Sequence, residues 1–397
     1  MQNRHYRIAI GIIILLAALL AFWLNSMNGD HSSHASTPSS TRRLHTTDDE
    51  PVASYDARTA KSSLSAPIPG NFKIAGREIC GIGVFESIPA DADEIDRKIN
   101  EETQKAWQLL KNSLLSSDDV AARAAGLILS ISSPSNLKDG FDRDSLNELV
   151  QLASNSTNAA AYGLAYQVCG RVSSTSLREV CRPINARRWA EIDPGNAAPL
   201  LELAGQQEAT GDIAGATHTL IGASTASRID AYGDTLSSKA EWLAPKEMPP
   251  LSQVQLEMGL LAFQSAWSGD YLKRISYFCL REKSSVANDV TRDVCGKIGE
   301  LMVNSRNLID LSFSRSLGRH LGWPKYRIDQ ITDDVEAIQA ESASVFPKSF
   351  DCNSIEKTRA YFRLRAELGE RGATQFMIDH SGTSIGDLAK QYRDSSK

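Results

Sequence analysis

A chain of 397 residues that is 42% hydrophobic and 23% charged carries enough apolar material for a packed core, which excludes wholesale disorder and low-complexity fibre. Its 48 acidic residues outnumber 43 basic ones, and the net charge of -5 argues against a dedicated nucleic-acid binder, which carries a basic surplus. Six cysteines point to an oxidising compartment.

Residues 1–7 hold Arg4 and Arg7 and lead into Ile8–Leu24, an uncharged stretch of 17 residues, IAIGIIILLAALLAFWL. As a helix it covers about 26 Å, the short end of what spans a bilayer. Beyond it Asp30, Asp48, Asp49 and Glu50 outnumber Arg42 and Arg43, so the positive-inside rule keeps the N-terminus cytoplasmic and exports the rest. A cleaved signal peptide fits the same start, but Phe22, Trp23 and Leu24 close the apolar run where small residues are wanted. The predicted localisation is a bacterial inner membrane, single-pass, with the body in the periplasm. Residues 25–70 follow, with 15 Ser or Thr, four Pro and one aromatic, Tyr55. Such a composition cannot offset its ordering entropy, so the stretch reads as a disordered linker with an r.m.s. span of roughly 35–40 Å.

Residues 71–91 contain the Gly-rich run NFKIAGREICGIGVFE and are predicted as an extended strap or small hairpin. From residue 92 helical periodicity dominates, with a start marked by Pro89 and the acidic cluster Asp91, Asp93 and Glu94. Val290, Val294, Ile298 and Leu301 step as one helix face; so do Ile309, Phe313, Leu317 and Leu321, and Ile328, Ile331, Val335 and Ile338. The expected fold is all-α, a solenoid-like helical-repeat array of antiparallel helix pairs. An N-terminal helical region (92–244) and a C-terminal one (250–397) flank LAPKEMPP, whose prolines mark either a domain seam or a loop within one array.

Within the first region, Asp193-Pro194-Gly195-Asn196 breaks one helix and starts another. Leu200, Leu203, Ala204, Gly211-Asp212, Ala216, Leu220 and Ala223 follow, and over 196–225 their spacing resembles one degenerate tetratricopeptide repeat. The resemblance implies that Ala204 and Ala216 are close-contact positions and Gly211-Asp212 the inter-helix turn. It departs from the family at Leu200 and Gln207, where large aromatics are favoured, and no tandem copy follows. The remainder of the chain resembles membrane-anchored helical proteins of proteobacteria, a likeness that implies no activity.

Cys80, Cys169, Cys181, Cys279, Cys295 and Cys352 allow 15 pairings. Helix–turn–helix spacing favours Cys169 with Cys181 and Cys279 with Cys295, which leaves Cys80 and Cys352 as a long-range pair tying the strap to the C-terminal helices. No Cys-x-x-Cys occurs, so zinc and redox motifs lack their spacing.

Catalytic signatures are missing: neither His-Glu-x-x-His, Gly-x-Ser-x-Gly nor a phosphate loop is found. His218, His320 and His380 read as ordinary helical residues, and Ser354 of a chance Ser-x-x-Lys match reads as a helix N-cap. The basic run Arg178, Arg182, Arg187 and Arg188 is interleaved with Glu179 and Glu191, as on a solvated face. The expectation is a non-enzymatic, protein-binding scaffold with no cofactor, no metal and no nucleic-acid partner, its own partner a protein and its contact with the membrane made by the N-terminal helix. The alternative is a cell-envelope enzyme, such as a cell-wall hydrolase, with a cleft carboxylate drawn from acids such as Glu86, Glu202 and Glu341.

Overall fold

A computed structural model describes residues 77–85, 92–131, 142–245, 248–267, 270–280, 288–346 and 351–395. The expected membrane segment, the linker and the rest of the strap lie outside them. Residues from 76 onward form one contact unit, and it is built from helices.

The strap is a tight antiparallel hairpin, β1 (Arg77–Ile79) and β2 (Gly83–Phe85), with Arg77 opposite Phe85. Then come α1 (Ala92–Leu115), α2 (Val120–Ile131), α3 (Arg143–Ser154), α4 (Ala159–Gly170), α5 (Thr175–Cys181), α6 (Ala186–Ile192), α7 (Ala197–Ala209) and α8 (Ile213–Ser224). The C-terminal part holds α9 (Thr235–Leu243), α10 (Pro250–Trp267), α11 (Asp270–Leu280), α12 (Asn288–Val303), α13 (Leu308–Leu321), α14 (Lys325–Val345), α15 (Cys352–Ser381) and α16 (Ile385–Ser395).

Asx side chains start many of these helices. Asp142, Asn158, Asn185, Asn196, Asp212 and Asp351 each accept a hydrogen bond from a backbone N–H in the first turn, at 2.9–3.1 Å. A cap of this kind is worth about 1 kcal/mol. The α15 cap corrects one expectation: Asp351 holds the cap position, and Ser354 is the residue it receives the N–H from.

Helices adjacent in sequence pack on one another: α1 on α2, α2 on α3, α6 on α7, α7 on α8, and α12 on α13. Small residues permit the close approach, as Ala121, Ala122, Ala124 and Ala125 of α2 are all buried. The largest core cluster runs from Ala106 to Leu317, with Trp189 and Tyr162 among its biggest fully enclosed side chains. A second core brings Cys80 of the hairpin together with Ile99 of α1, Leu251 and Val254 of α10, and Ile355 and Phe362 of α15. Helices α9 and α10 pack on each other and both pack on α15, so contacts run across the proline-rich segment 245–250.

Helix faces emerge as expected for α12, where Val294 and Ile298 are buried, and for α14, where Ile328, Ile331, Val335 and Ile338 all are. On α13 the stripe is turned. Ile309 is 42% exposed, while Asp310, Leu311, Ser314, Leu317 and Gly318 face the core. Two polar residues on the inward face hid it from a hydrophobic reading.

Two glycines are dictated by backbone shape. Gly369 breaks α15 with φ 76°, and a Cβ there would stand 2.8 Å from the Arg306 Cβ, at the place where the Arg371 N–H donates to the Arg306 carbonyl. Gly211, at φ 83°, makes the turn between α7 and α8.

The cysteines are joined Cys80–Cys352, Cys169–Cys181 and Cys279–Cys295, with Cα–Cα distances of 4.7, 5.5 and 5.7 Å. The two short loops staple α4 to α5 and α11 to α12; the long one pins the hairpin to the start of α15. Loop-closure entropy grows with loop length, so these bonds differ in worth. Replacing Cys80 and Cys352 together by Ser costs about 5 kcal/mol of unfolding free energy, against about 3 kcal/mol for Cys169 and Cys181. Urea denaturation without reductant reads the difference, and equal losses would contradict it.

Candidate functional site

Helix α10 has one charged residue in 18, Glu257, within PLSQVQLEMGLLAFQSAW. It is packed by α1, α9 and α15, and Leu251, Val254, Leu256, Glu257 and Leu260 are all buried. Glu257 is 5% exposed, and it lines a cleft of about 480 Å³ between α9, α10 and α15. Around it stand Glu241 and Trp242 from α9 and Arg359, Arg363 and Glu367 from α15, over an apolar floor that includes Met248 and Leu256.

The charges in this cleft are unevenly matched. Arg363 Nε donates to Glu241 Oε1 at 3.2 Å, and Arg359 Nη1 reaches Glu356 at 2.6 Å. Among the described residues nothing donates a hydrogen bond to Glu257, and no cation within 4.0 Å pairs with Glu367. Burial pushes the Glu257 carboxyl up to about 8, the nearby Glu241 charge adds to the rise and Arg365 opposes it. Glu241 is raised too, by burial, with Arg363 pulling against it. Trp242 stands 67% exposed at the rim.

Behind the cleft lies a buried polar layer. Arg365 Nη2 donates weakly to Gln264 Oε1 at 3.4 Å and stands 4.0 Å from Asp234; Ser237 donates to the same Gln264 oxygen. Burial raises Asp234 to about 6, with Arg365 opposing. Asp310 of α13 is fully buried, accepts hydrogen bonds from Tyr271 and Ser305, and is likewise raised to about 6 by burial against those two donors. Each of these carboxylates has a donor or cation in contact, which marks the layer as structural. Glu257, by contrast, lines the cleft with neither.

The residues singled out from sequence fall elsewhere. Ala204, Ala216, Leu220 and Ala223 are buried where α7 meets α8, Leu200 and Leu203 are half-buried, and Leu201 is the fully enclosed leucine of α7. Leu200 reaches toward Gly222 on α8. The turn Asp193–Asn196 is held by a polar node: Asp193 accepts from Arg228 at 2.7 Å, from Tyr232 at 2.6 Å and from Asn196 at 2.9 Å, and Asn196 also donates to the Asp230 carbonyl at 2.7 Å. His218 and His320 are exposed, and His380 stacks on Phe376 at 4.0 Å. The basic run is solvated, with Arg182 paired to Glu179 and Arg188 to Glu191.

Of the three acids considered, Glu86 lies outside the described residues and Glu341 accepts from Ser344. Glu202 is buried, raised by burial and opposed by Arg274, which donates to it at 3.0 Å; its neighbouring void, with Tyr166 and Trp189, is about 10 Å³, room for one water. Sequence reasoning missed Glu257, Glu241 and Trp242. The signal for Glu257 was present: a lone charge inside an otherwise uncharged helix.

Among the described residues no group of His, Cys, Asp or Glu is arranged to hold a metal ion, and no helix is long and apolar enough to cross a membrane. No protein-family model matches the chain, and no curated protein or solved structure does either.

The raised Glu257 fixes the sign of a pH dependence. Its folded value of about 8 exceeds the ordinary 4.5, so the native state holds a proton that the unfolded chain gives up. Stability from this group is complete below about pH 4.5 and is lost as pH rises through 8. Glu257→Gln mimics the neutral form, so its Tm relative to the unsubstituted protein rises between pH 5 and pH 9. A Tm difference that stays constant across that range rules out a buried, protonated Glu257.

Proposed function

We propose that this chain is a membrane-tethered, exported scaffold that binds a protein partner in the cleft between α9, α10 and α15. The observation that carries the reading is the rim of that cleft: exposed Trp242 beside Arg359 and Arg363. Tryptophan and arginine are the residue types that dominate binding energy at interfaces, and grooves between packed helices commonly hold peptides. Three disulfides support export, because such bonds persist outside the reducing cytoplasm. The apolar run 8–24 supplies the anchor and the α7–α8 pair the tetratricopeptide-like element of the array.

A second reading, a cell-wall hydrolase, is favoured by one observation, that Glu257 keeps its proton near neutral pH beside a cleft. A carboxylic acid in that state is equipped to protonate a glycosidic oxygen.

A photo-crosslinking residue placed at Trp242 in living cells tests the scaffold. One discrete protein adduct is expected from Trp242 and from Arg363, and none from Tyr326, an exposed residue outside the cleft. Equal labelling at all three positions, or none at any, contradicts cleft-directed binding. Loss of turbidity of purified cell-wall sacculi with the native protein, and not with Glu257→Gln, turns the reading toward hydrolysis.

A further inference from the structure

Among the described residues the cleft has a surplus of carboxylates over available cations, and this inference rests on its being a binding site. Both arginines on its wall are already committed, Arg363 to Glu241 and Arg359 to Glu356. Arg365, behind it, gives Nη2 to Gln264 at 3.4 Å and stands 4.0 Å from Asp234; its Nε and Nη1 are buried with no hydrogen-bond partner among the described residues, and its charge acts on Glu257 without a direct bond to it. Glu257 and Glu367 have no such partner among the described residues. Glu257 is the unusual one, because it is 5% exposed, unpartnered and set in the lining of a cavity that can admit a guest. A buried carboxylate with no donor is costly unless a ligand supplies one. Trp242, at the mouth, offers an indole face to a cation or to the alkyl chain behind it.

We propose that the cleft receives a primary ammonium group at the end of an alkyl chain, such as the side chain of a lysine or diamino acid in a peptide, with Glu257 as its carboxylate partner, Glu367 as a second acceptor nearer the rim and Trp242 covering the stem. The protein partner of the cleft would then be recognised through that ammonium. An arginine side chain fits less well, since Arg359 and Arg363 already occupy the wall with the same flat cation.

The proton balance follows. The ligand arrives as R–NH3+ and keeps its proton; protonated Glu257 gives its own to solvent, and an ion pair remains. Among the described residues the charged groups facing Glu257 are Glu241 from α9 and Arg359, Arg363, Arg365 and Glu367 from α15, while α1 meets α10 with Trp107 and Thr103. Since burial holds the proton on Glu257 up to about pH 8, each ammonium bound at pH 7 releases close to one proton. Affinity therefore rises about tenfold per pH unit below 8 and levels above it.

Calorimetric titration of the full chain tests this with Nα-acetyl-lysine amide and 1,5-diaminopentane, and with Nα-acetyl-norleucine amide as the uncharged control. Runs in buffers of different ionisation enthalpy count the protons. The expected result is saturable binding of both ammonium probes, no binding of the control, and release of about one proton at pH 7. Glu257→Gln should weaken binding at least about tenfold and Trp242→Ala about threefold. Should Glu257→Gln fail to fold by circular dichroism, Glu367→Gln, Trp242→Ala and the pH profile of the native protein decide the matter. Equal binding of the norleucine control, or affinity indifferent to pH and to these substitutions, overturns the proposal. A cleft that crosslinks a protein at Trp242 in cells yet binds no ammonium probe overturns this inference and leaves the scaffold reading standing. Ammonium binding with no adduct does the reverse.

Discussion

A helix packed by α1, α9 and α15, with no fully exposed residue among those described, is a poor place for a charge, and α10 carries one at its middle. The carboxylate of Glu257 must therefore stay neutral, find a cation or open toward water. The first and third of these coexist here. Burial keeps the proton on, and α9 and α15 separate enough above residue 257 to leave a cleft. If the carboxylate were replaced by a leucine, the inward face of α10 would keep only neutral polar residues, Ser252 and Gln264, among its buried apolar ones. The site is thus a local departure from good packing, and sequences keep such departures where they serve a purpose.

Contrast with the other buried acids makes the same point. Asp193, Glu202 and Asp310 sit as deep as Glu257, yet each meets an arginine, tyrosine, serine or asparagine. Asp193 and Asn196 show what a satisfied polar cluster accomplishes: together they tie the α6–α7 turn to residues 228–232, thirty-odd positions along the chain. Each such hydrogen bond contributes only about 1 kcal/mol net, but leaving one unmade costs more, so the cluster specifies one register for the turn.

Much of the architecture could be read from the chain. Period 3.6 gave the faces of α12 and α14, Asp193-Pro-Gly-Asn196 gave a helix boundary, Gly211 gave a turn, and short spacing favoured the two local cysteine pairs. The exceptions share one cause. On α13 the buried face includes Asp310 and Ser314, and on α7 the enclosed leucine is Leu201, with its neighbours at 200 and 203 only half-buried. A hydrophobic pattern identifies a face only when that face is hydrophobic, and here tertiary partners, Tyr271 and Ser305 for Asp310, make a polar residue acceptable inside. The cleft was illegible for a related reason. Its walls come from residues 241–257 and 359–367, which no local period connects; only the solitary charge in α10 hinted that something polar lay opposite.

The bond between Cys80 and Cys352, 272 positions apart, makes the intervening chain a covalent ring. Tension applied to the body from its N-terminal side enters at residue 80 and can leave through sulfur to residue 352 at the head of α15. The helices from α1 to α14 are then bypassed by the load path, so the first core cluster, built from residues 106–317, cannot be peeled apart by pulling on the chain's two ends, whereas the second, to which α15 gives Ile355 and Phe362, can lose that helix. Only α15 and α16, beyond the bridge, remain in series with the force.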